Sequence, residues 1–177
     1  MKKINFQHGF WTVVAAVLLI STLVSCEYYS KKHACKNFSI TVTHEFPNTN
    51  WAFEEEVLDF NFDIEDTATY FDVALSLLYD TAAVTLKDIP LTLTLTAPDG
   101  MQSIAASHFL LDKEANPDLK IKITTGNNAE ANVVVFPHRK FKVPGTYKLT
   151  VYRRAEKADN YGFISLATKV TVSKEQK

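Results

Sequence analysis

Glycine is scarce in this chain of 177 residues, with 5 in all, and proline (6), cysteine (2), methionine (2) and tryptophan (2) are few as well. So few glycines disfavour the Gly-rich loops whose backbone N–H groups cradle phosphates. The cysteines, Cys26 and Cys35, stand close together near the N-terminus. A bridge between them would staple almost nothing, and no Cys-x-x-Cys or compact Cys/His framework surrounds either, so Cys35 reads as an incidental thiol in a linker. An excess of one charge is also missing: 19 basic against 20 acidic residues leave a formal net charge of −1. Losing Lys2 and Lys3 with a leader would leave 17 against 20, or −3. Neither value suits a nucleic-acid binder, which shows a strongly basic face. Catalytic signatures are lacking too, with no Gly-x-Ser-x-Gly elbow, His-Glu-x-x-His helix or phosphate loop. His8, His33, His44, His108 and His138 are scattered without ligand spacing. The expectation is a non-enzyme with no metal and no cofactor.

What is present begins with Lys2 and Lys3, followed by an apolar run from Phe10 to Leu23. That run has the length of a signal-peptide core and is short for a membrane span, which needs roughly 20 apolar residues. It closes on Leu23-Val24-Ser25-Cys26. A small residue directly before a cysteine, with Leu three places ahead of it, resembles the lipobox of bacterial lipoproteins. Cys26 is therefore the expected lipidation site, with acyl chains as the membrane contact. Each buried methylene contributes about 0.8 kcal/mol, so two or three chains hold stably where one is marginal. The expected organisation is a lipoprotein signal peptide over 1–25, a lipidated tether over 26–37, a β domain over 38–173 and a charged tail over 174–177.

After the tether the hydrophobic period becomes two. Phe38 to His44 alternates apolar with polar, and Pro47-Asn48-Thr49-Asn50 ends it. Leu58, Phe60, Phe62 and Ile64 alternate with Asp59, Asn61 and Asp63, and Phe71, Val73, Leu75 and Leu77 repeat the pattern. Leu91, Leu93 and Leu95 alternate with threonines up to the turn Ala97-Pro98-Asp99-Gly100. Further strands are expected over 108–111, over 119–123, and over 132–136, the last a continuous apolar run that reads as buried on both faces. Val143-Pro144-Gly145-Thr146 reads as a type II turn leading into Tyr147, Leu149 and Val151, and a last strand carries Ile164, Leu166, Val170 and Val172. Residues 154–160 have room for one helical turn. Eight or nine short strands with no amphipathic helix predict an all-β fold, an antiparallel β-sandwich of immunoglobulin-like or related Greek-key type.

The order of these signals resembles a known family. Trp51 and the strand ending at Ile64, then Asp66 and Tyr70, then Leu91 to Leu95 followed by Pro98 and Gly100, then Phe141, Gly145 and Tyr147 look like the gliding motility lipoprotein GldH family of Bacteroidetes. The resemblance runs from the lipobox to about residue 170. Two stretches depart from it: Glu114 to Lys120 stands where the family has a Gly- and Trp-containing segment, and Asp159 to Ile164 where it has a Leu-x-Gly-Ile-like one. The resemblance implies a non-catalytic component of the gliding and associated secretion machinery, with other envelope proteins as partners. The residues after Cys26, Glu-Tyr-Tyr-Ser-Lys-Lys, contain no acidic run resembling the surface-export signal of that phylum. The expected location is the outer membrane, facing the periplasm. An adhesin or glycan-binding envelope lipoprotein is the alternative.

Three constellations invite sharper readings. Asp59-x-Asn61-x-Asp63 suggests calcium, but Ile64 stands where an EF-hand needs Gly and Tyr70 where it needs the bidentate Glu. A solvated sheet face explains these residues better. Arg139 and Lys140, with His138 and Lys142, and Arg153 and Arg154, with Lys157, flank one predicted hairpin and form a candidate basic patch for an acidic partner or anionic headgroups. Asp66-Thr67-Ala68 and Asp80-Thr81-Ala82 both resemble the Asp-Ser/Thr-small-residue site of Bacteroidetes O-glycosylation, which makes Thr67 and Thr81 candidate modification sites.

Overall fold

Alternation of apolar and polar side chains puts one set on each face of a strand, and the burial follows the pattern residue by residue. In the segment Val57–Ile64, Leu58, Phe60, Phe62 and Ile64 are buried while the intervening residues are exposed. The computed structural model describes residues 38–52, 57–84, 86, 88–111, 120–123, 125–154 and 160–174. Among the described residues every strand lies in the unit Ser39–Lys177. The strands are β1 (Ser39–Glu45), β2 (Asn50–Trp51), β3 (Val57–Ile64), β4 (Tyr70–Asp80), β5 (Asp88–Thr96), β6 (Gln102–Leu110), β7 (Lys120–Ile123), β8 (Asn128–Lys140), β9 (Gly145–Arg153), β10 (Asn160–Tyr161) and β11 (Phe163–Val172). The helical content of the described residues is one 3-10 turn, Pro47–Thr49.

Two antiparallel sheets make the sandwich, one ordered β1-β11-β4-β8-β7 and the other β3-β9-β5-β6, with β2 and β10 forming a short pair. Leave out the short β2, β7 and β10 and number the other eight in chain order. One sheet then reads one, eight, three, six and the other two, seven, four, five. That is the order of a jelly roll, two interlocked Greek keys. Of the two expected options, immunoglobulin-like or related Greek key, the strand order selects the second. Successive strands of this set change sheet at every step except β5 to β6, which is a hairpin. The hairpin turn is built as its residues predict: Gly100 donates its N–H to the Ala97 carbonyl at φ 83°, and Asp99 Oδ1 accepts the Met101 N–H.

The core lies between the inner faces. Val73, Leu75 and Leu77 of β4, Leu166 and Val170 of β11, Leu91 and Leu93 of β5, and Leu149 and Val151 of β9 are fully buried or nearly so. Each such side chain contributes about 1.5–3 kcal/mol relative to exposure. Aromatic rings close both ends. At one end Phe71, Phe141, Tyr147 and Phe62 join the two sheets, with Phe141 5.6 Å from Phe71 and 4.6 Å from Tyr147 between ring centroids. At the other end Phe46 stacks on Trp51, and Trp51 meets Phe163 edge-on.

Several local expectations change. The strand expected over 108–111 is β6, which begins at Gln102; its inward residues Ser103, Ala105 and Ser107 are too small to mark a hydrophobic alternation. The run over 132–136 is not buried on both faces, since Val134 is 52% exposed. Its continuous apolar character arises from a β-bulge: the register slips between Val73 and Ala74 of β4, so Val135 and Phe136 are both buried. The helical turn expected over 154–160 falls mostly on residues 155–159, outside the described residues, and Asn160 belongs to β10.

Candidate functional site

A second bulge on β8 builds the feature with most chemistry. Pro137 has no N–H to give to a ladder, and here the register slips again, two residues of β8 standing opposite Asp72 of β4. His138 takes a left-handed conformation at φ 48°, rare for a side chain of this size. Asp72 holds it there. Its Oδ1 accepts the His138 backbone N–H at 2.7 Å and the Ser173 hydroxyl at 2.7 Å. Ser173 in turn donates its own N–H to the Tyr70 carbonyl, and its Oγ lies 3.2 Å from Nδ1 of His138. Because the hydroxyl proton of Ser173 is committed to Asp72, Nδ1 of His138 is the donor in that contact. The outcome is a nearly parallel, stacked ring pair, Tyr70 on His138, with the Lys140 Nζ 5.6 Å from the Tyr70 centroid.

This pair borders a cleft of about 370 Å³ at the Phe141–Tyr147 end of the sandwich. Leu95, Phe141 and Tyr147 are buried residues of its lining, while Gln102, Ser103, Arg139, Lys140 and Lys142 supply polar groups. Arg139 reaches across from one sheet to the other and donates from Nη2 to Ser103 Oγ at 2.6 Å. The loop between β8 and β9 is held by Tyr147, whose hydroxyl donates to the Val143 carbonyl at 2.7 Å and accepts the Val143 N–H. Gly145 lets the β5–β6 turn come close: a Cβ there would lie 3.1 Å from the Pro98 ring.

The basic residues named from the sequence therefore divide. Arg139 and Lys140, with His138 and Lys142, line the cleft. Arg153 does not join them. It is the next inward position after Tyr147, Leu149 and Val151, 2% exposed, with its guanidinium over Trp51 and Nη2 bonded to the Ala52 carbonyl. β8 and β9 lie in different sheets rather than in one hairpin, and the length of β9 puts Arg153 roughly 27 Å along the strand from Gly145. Arg154, beside it, is exposed and donates its N–H to the Pro90 carbonyl. Lys157 lies outside the described residues, as do Cys26 and the segments read as signal and tether.

Thr67 and Thr81 occupy the same local geometry. Asp66 Oδ1 accepts the Ala68 N–H at 2.7 Å and Asp80 Oδ1 the Ala82 N–H at 2.9 Å, so each threonine sits inside an Asx-type turn. Thr81 is exposed but its hydroxyl donates to the Asn127 carbonyl. The acidic strand face is tied laterally: Asp59 accepts from Thr150 and Lys148, and Asp63 from Thr146. Among the described residues no group of three or more His, Cys, Asp or Glu is placed to hold a metal ion. Tyr70, Gln102 and Ser103 were not marked by sequence reasoning as site residues. Tyr70 was legible in principle, since it is the outward position ahead of Phe71, Val73 and Leu75.

No protein-family model matches the chain, and no curated protein matches it. Several solved structures are similar to the chain at low identity. One is a carbohydrate-binding module specific for non-crystalline cellulose, with TM-score 0.42, 10% identity, and coverage of 76% of this chain and 73% of that one. A xylan-binding module has TM-score 0.36, 8% identity, and coverage of 79% and 99%. A chain of the infectious bursal disease virus Gx strain has TM-score 0.42 and 16% identity, and the match covers 77% of this chain and 32% of the viral one.

Proposed function

We propose that this chain is a non-catalytic binding protein of the cell envelope, tethered through acyl groups on Cys26, whose jelly roll presents the Tyr70–His138 cleft to a saccharide. The observation that carries this reading is the cleft itself: a half-exposed aromatic pair held rigid by Asp72, above an apolar floor and beside amide, hydroxyl and cationic groups. An aromatic face packs against the C–H face of a sugar ring, and the polar groups around it fix orientation. Among the described lining residues no nucleophile stands beside a base, so binding rather than turnover is the chemistry the cleft suits.

The test is retention of saccharides by the full-length protein in detergent. Wild type binds a defined subset and Tyr70→Ala loses at least about tenfold in affinity, with thermal stability within ~1 kcal/mol because the ring is exposed. Failure to retain any saccharide overturns the reading. Cys26→Ala tests the tether, and envelope association that survives it removes that part.

A second reading takes the chain as a docking component of a motility or secretion complex, as the resemblance to the GldH family implies. The exposed Met101 and Ile104, beside and on the edge strand β6, favour it by offering apolar surface to a protein. Of the residues that carry the resemblance, Trp51, Ile64, Phe141 and Tyr147 are buried and speak for a shared framework, whereas Tyr70 is exposed. Affinity purification of the native lipoprotein from solubilised envelope, recovering no motility or secretion component, counts against this second reading.

A further inference from the structure

Two lysines elsewhere on this domain are matched with acids: Lys148 lies 3.4 Å from Asp59, and Lys169 bonds to Glu130. The cleft differs. Arg139, Lys140 and Lys142 line it together, none forms an ion pair with a described acidic residue, and no Asp or Glu is among the described lining residues. Asp72, behind the ring pair, has one carboxylate oxygen engaged by both the His138 N–H and the Ser173 hydroxyl. Three like charges around one concavity repel each other and raise the local potential, an arrangement that a bound anion relieves.

We infer that the saccharide held by this cleft is acidic, carrying carboxylate, sulfate or phosphate groups that the Arg139, Lys140 and Lys142 side chains engage while a ring packs on the Tyr70–His138 pair. The inference rests on the saccharide reading above and adds the charge of the ligand to it. Arg139 is prepared for the role. Its bond to Ser103 Oγ fixes the plane of the guanidinium at the seam between the sheets, and that bond uses one of five N–H donors in a fork that matches carboxylate and sulfate oxygens. Lys140 sits over the Tyr70 ring, where an anionic sugar stacked on the platform comes within its reach. Lys142 is exposed on the loop that Tyr147 holds in place. Gln102 and Ser103 complete the rim from the opposite sheet with neutral donors and acceptors. An acidic polypeptide would satisfy the charges, but it would leave the stacked ring pair without a purpose.

Calorimetry of the full-length protein in neutral detergent tests this with four probes: polygalacturonate, dextran sulfate, neutral xylan and polyglutamate. The expected result is binding of at least one acidic polysaccharide more than tenfold tighter than xylan, weakening steadily with added salt. Lys140→Gln combined with Lys142→Gln then reduces that binding at least fivefold without lowering the melting temperature, since both side chains are exposed and clear of the core. Tyr70→Ala reduces it as well, which a purely electrostatic surface would not show. Equal, salt-insensitive binding of xylan overturns the acidic specificity and leaves the saccharide reading standing. No binding of any polysaccharide overturns both. Polyglutamate bound as tightly as the polysaccharides, with no effect of Tyr70→Ala, also overturns both and assigns the surface to an acidic protein.

Discussion

The rings of Tyr70 and His138 lie 4.1 Å apart at an interplanar angle of 9°, one from the first residue of β4 and the other from a bulge near the end of β8. Their alignment depends on a residue that touches neither ring face, Asp72, which ties the His138 backbone and the Ser173 hydroxyl to one oxygen. Asp72→Ala removes the acceptor of both donors and is expected to cost about 1–2 kcal/mol of stability. The more telling readout is binding: affinity at the cleft falls in Asp72→Ala and recovers in Asp72→Asn, which keeps an acceptor oxygen. Equal affinity in all three proteins, measured by calorimetry, removes Asp72 from its positioning role.

Arg153 separates charge from location. Its side chain is buried against Trp51, so its hydrocarbon stem and guanidinium serve the packing of that end of the sandwich. Arg153→Ala is expected to destabilise by about 2–4 kcal/mol in denaturant titrations. Arg154→Ala, one residue on at an exposed position, is expected to change stability by less than ~0.5 kcal/mol. Neither substitution alters binding at the cleft; a loss of affinity in Arg154→Ala at unchanged stability contradicts the division of the basic residues into two ends.

Much of this fold was legible from period-two patterning. β3 was plain because large apolar residues alternate with Asp and Asn. The same reading hid β6, whose inward positions hold serine and alanine at an edge where little needs burying. It also misread β8, because a bulge moves side chains between faces and leaves an unbroken apolar run behind. The cleft was half legible. Its cations stand together in the sequence, but the ring pair joins residues from two strands through a bulge that Pro137 marks only weakly. Arg153 shows the opposite error: the alternation Tyr147, Leu149, Val151 pointed it inward, and its charge was given more weight than its position.

Gly162 and Gly100 both have positive φ, 90° and 83°, yet they predict different costs. A Cβ on Gly100 meets open space, so Gly100→Ala pays only for the left-handed backbone, about 1 kcal/mol. A Cβ on Gly162 would come within 2.7 Å of the backbone nitrogen of Val84, and the residue is fixed by bonds from its N–H to Thr49 and from the Asp80 N–H to its carbonyl. Gly162→Ala is expected to cost more than about 2 kcal/mol, because the backbone it meets cannot step aside. Paired melting curves check the ranking, and equal losses at the two glycines would falsify it.

Glu130 makes the domain acid-sensitive in a defined direction. On the outer face of the five-stranded sheet it accepts hydrogen bonds from Lys169 and Ser76, and these hold its carboxyl below the ordinary value of 4.5; burial opposes them, and the charges of Lys169 and Lys122 assist. A carboxylate whose pKa is lower in the folded than in the unfolded chain binds fewer protons when folded. Its stabilisation is therefore complete above the unfolded value and is lost as pH falls through the folded one. Glu130→Gln keeps the shape and removes the titration. The difference in unfolding free energy between wild type and Glu130→Gln is expected to stay level from neutrality to about pH 5 and then shrink in wild type's disfavour below it. A difference that stays constant down to pH 3 shows that the Lys169 and Ser76 bonds do not bias the protonation of this carboxyl.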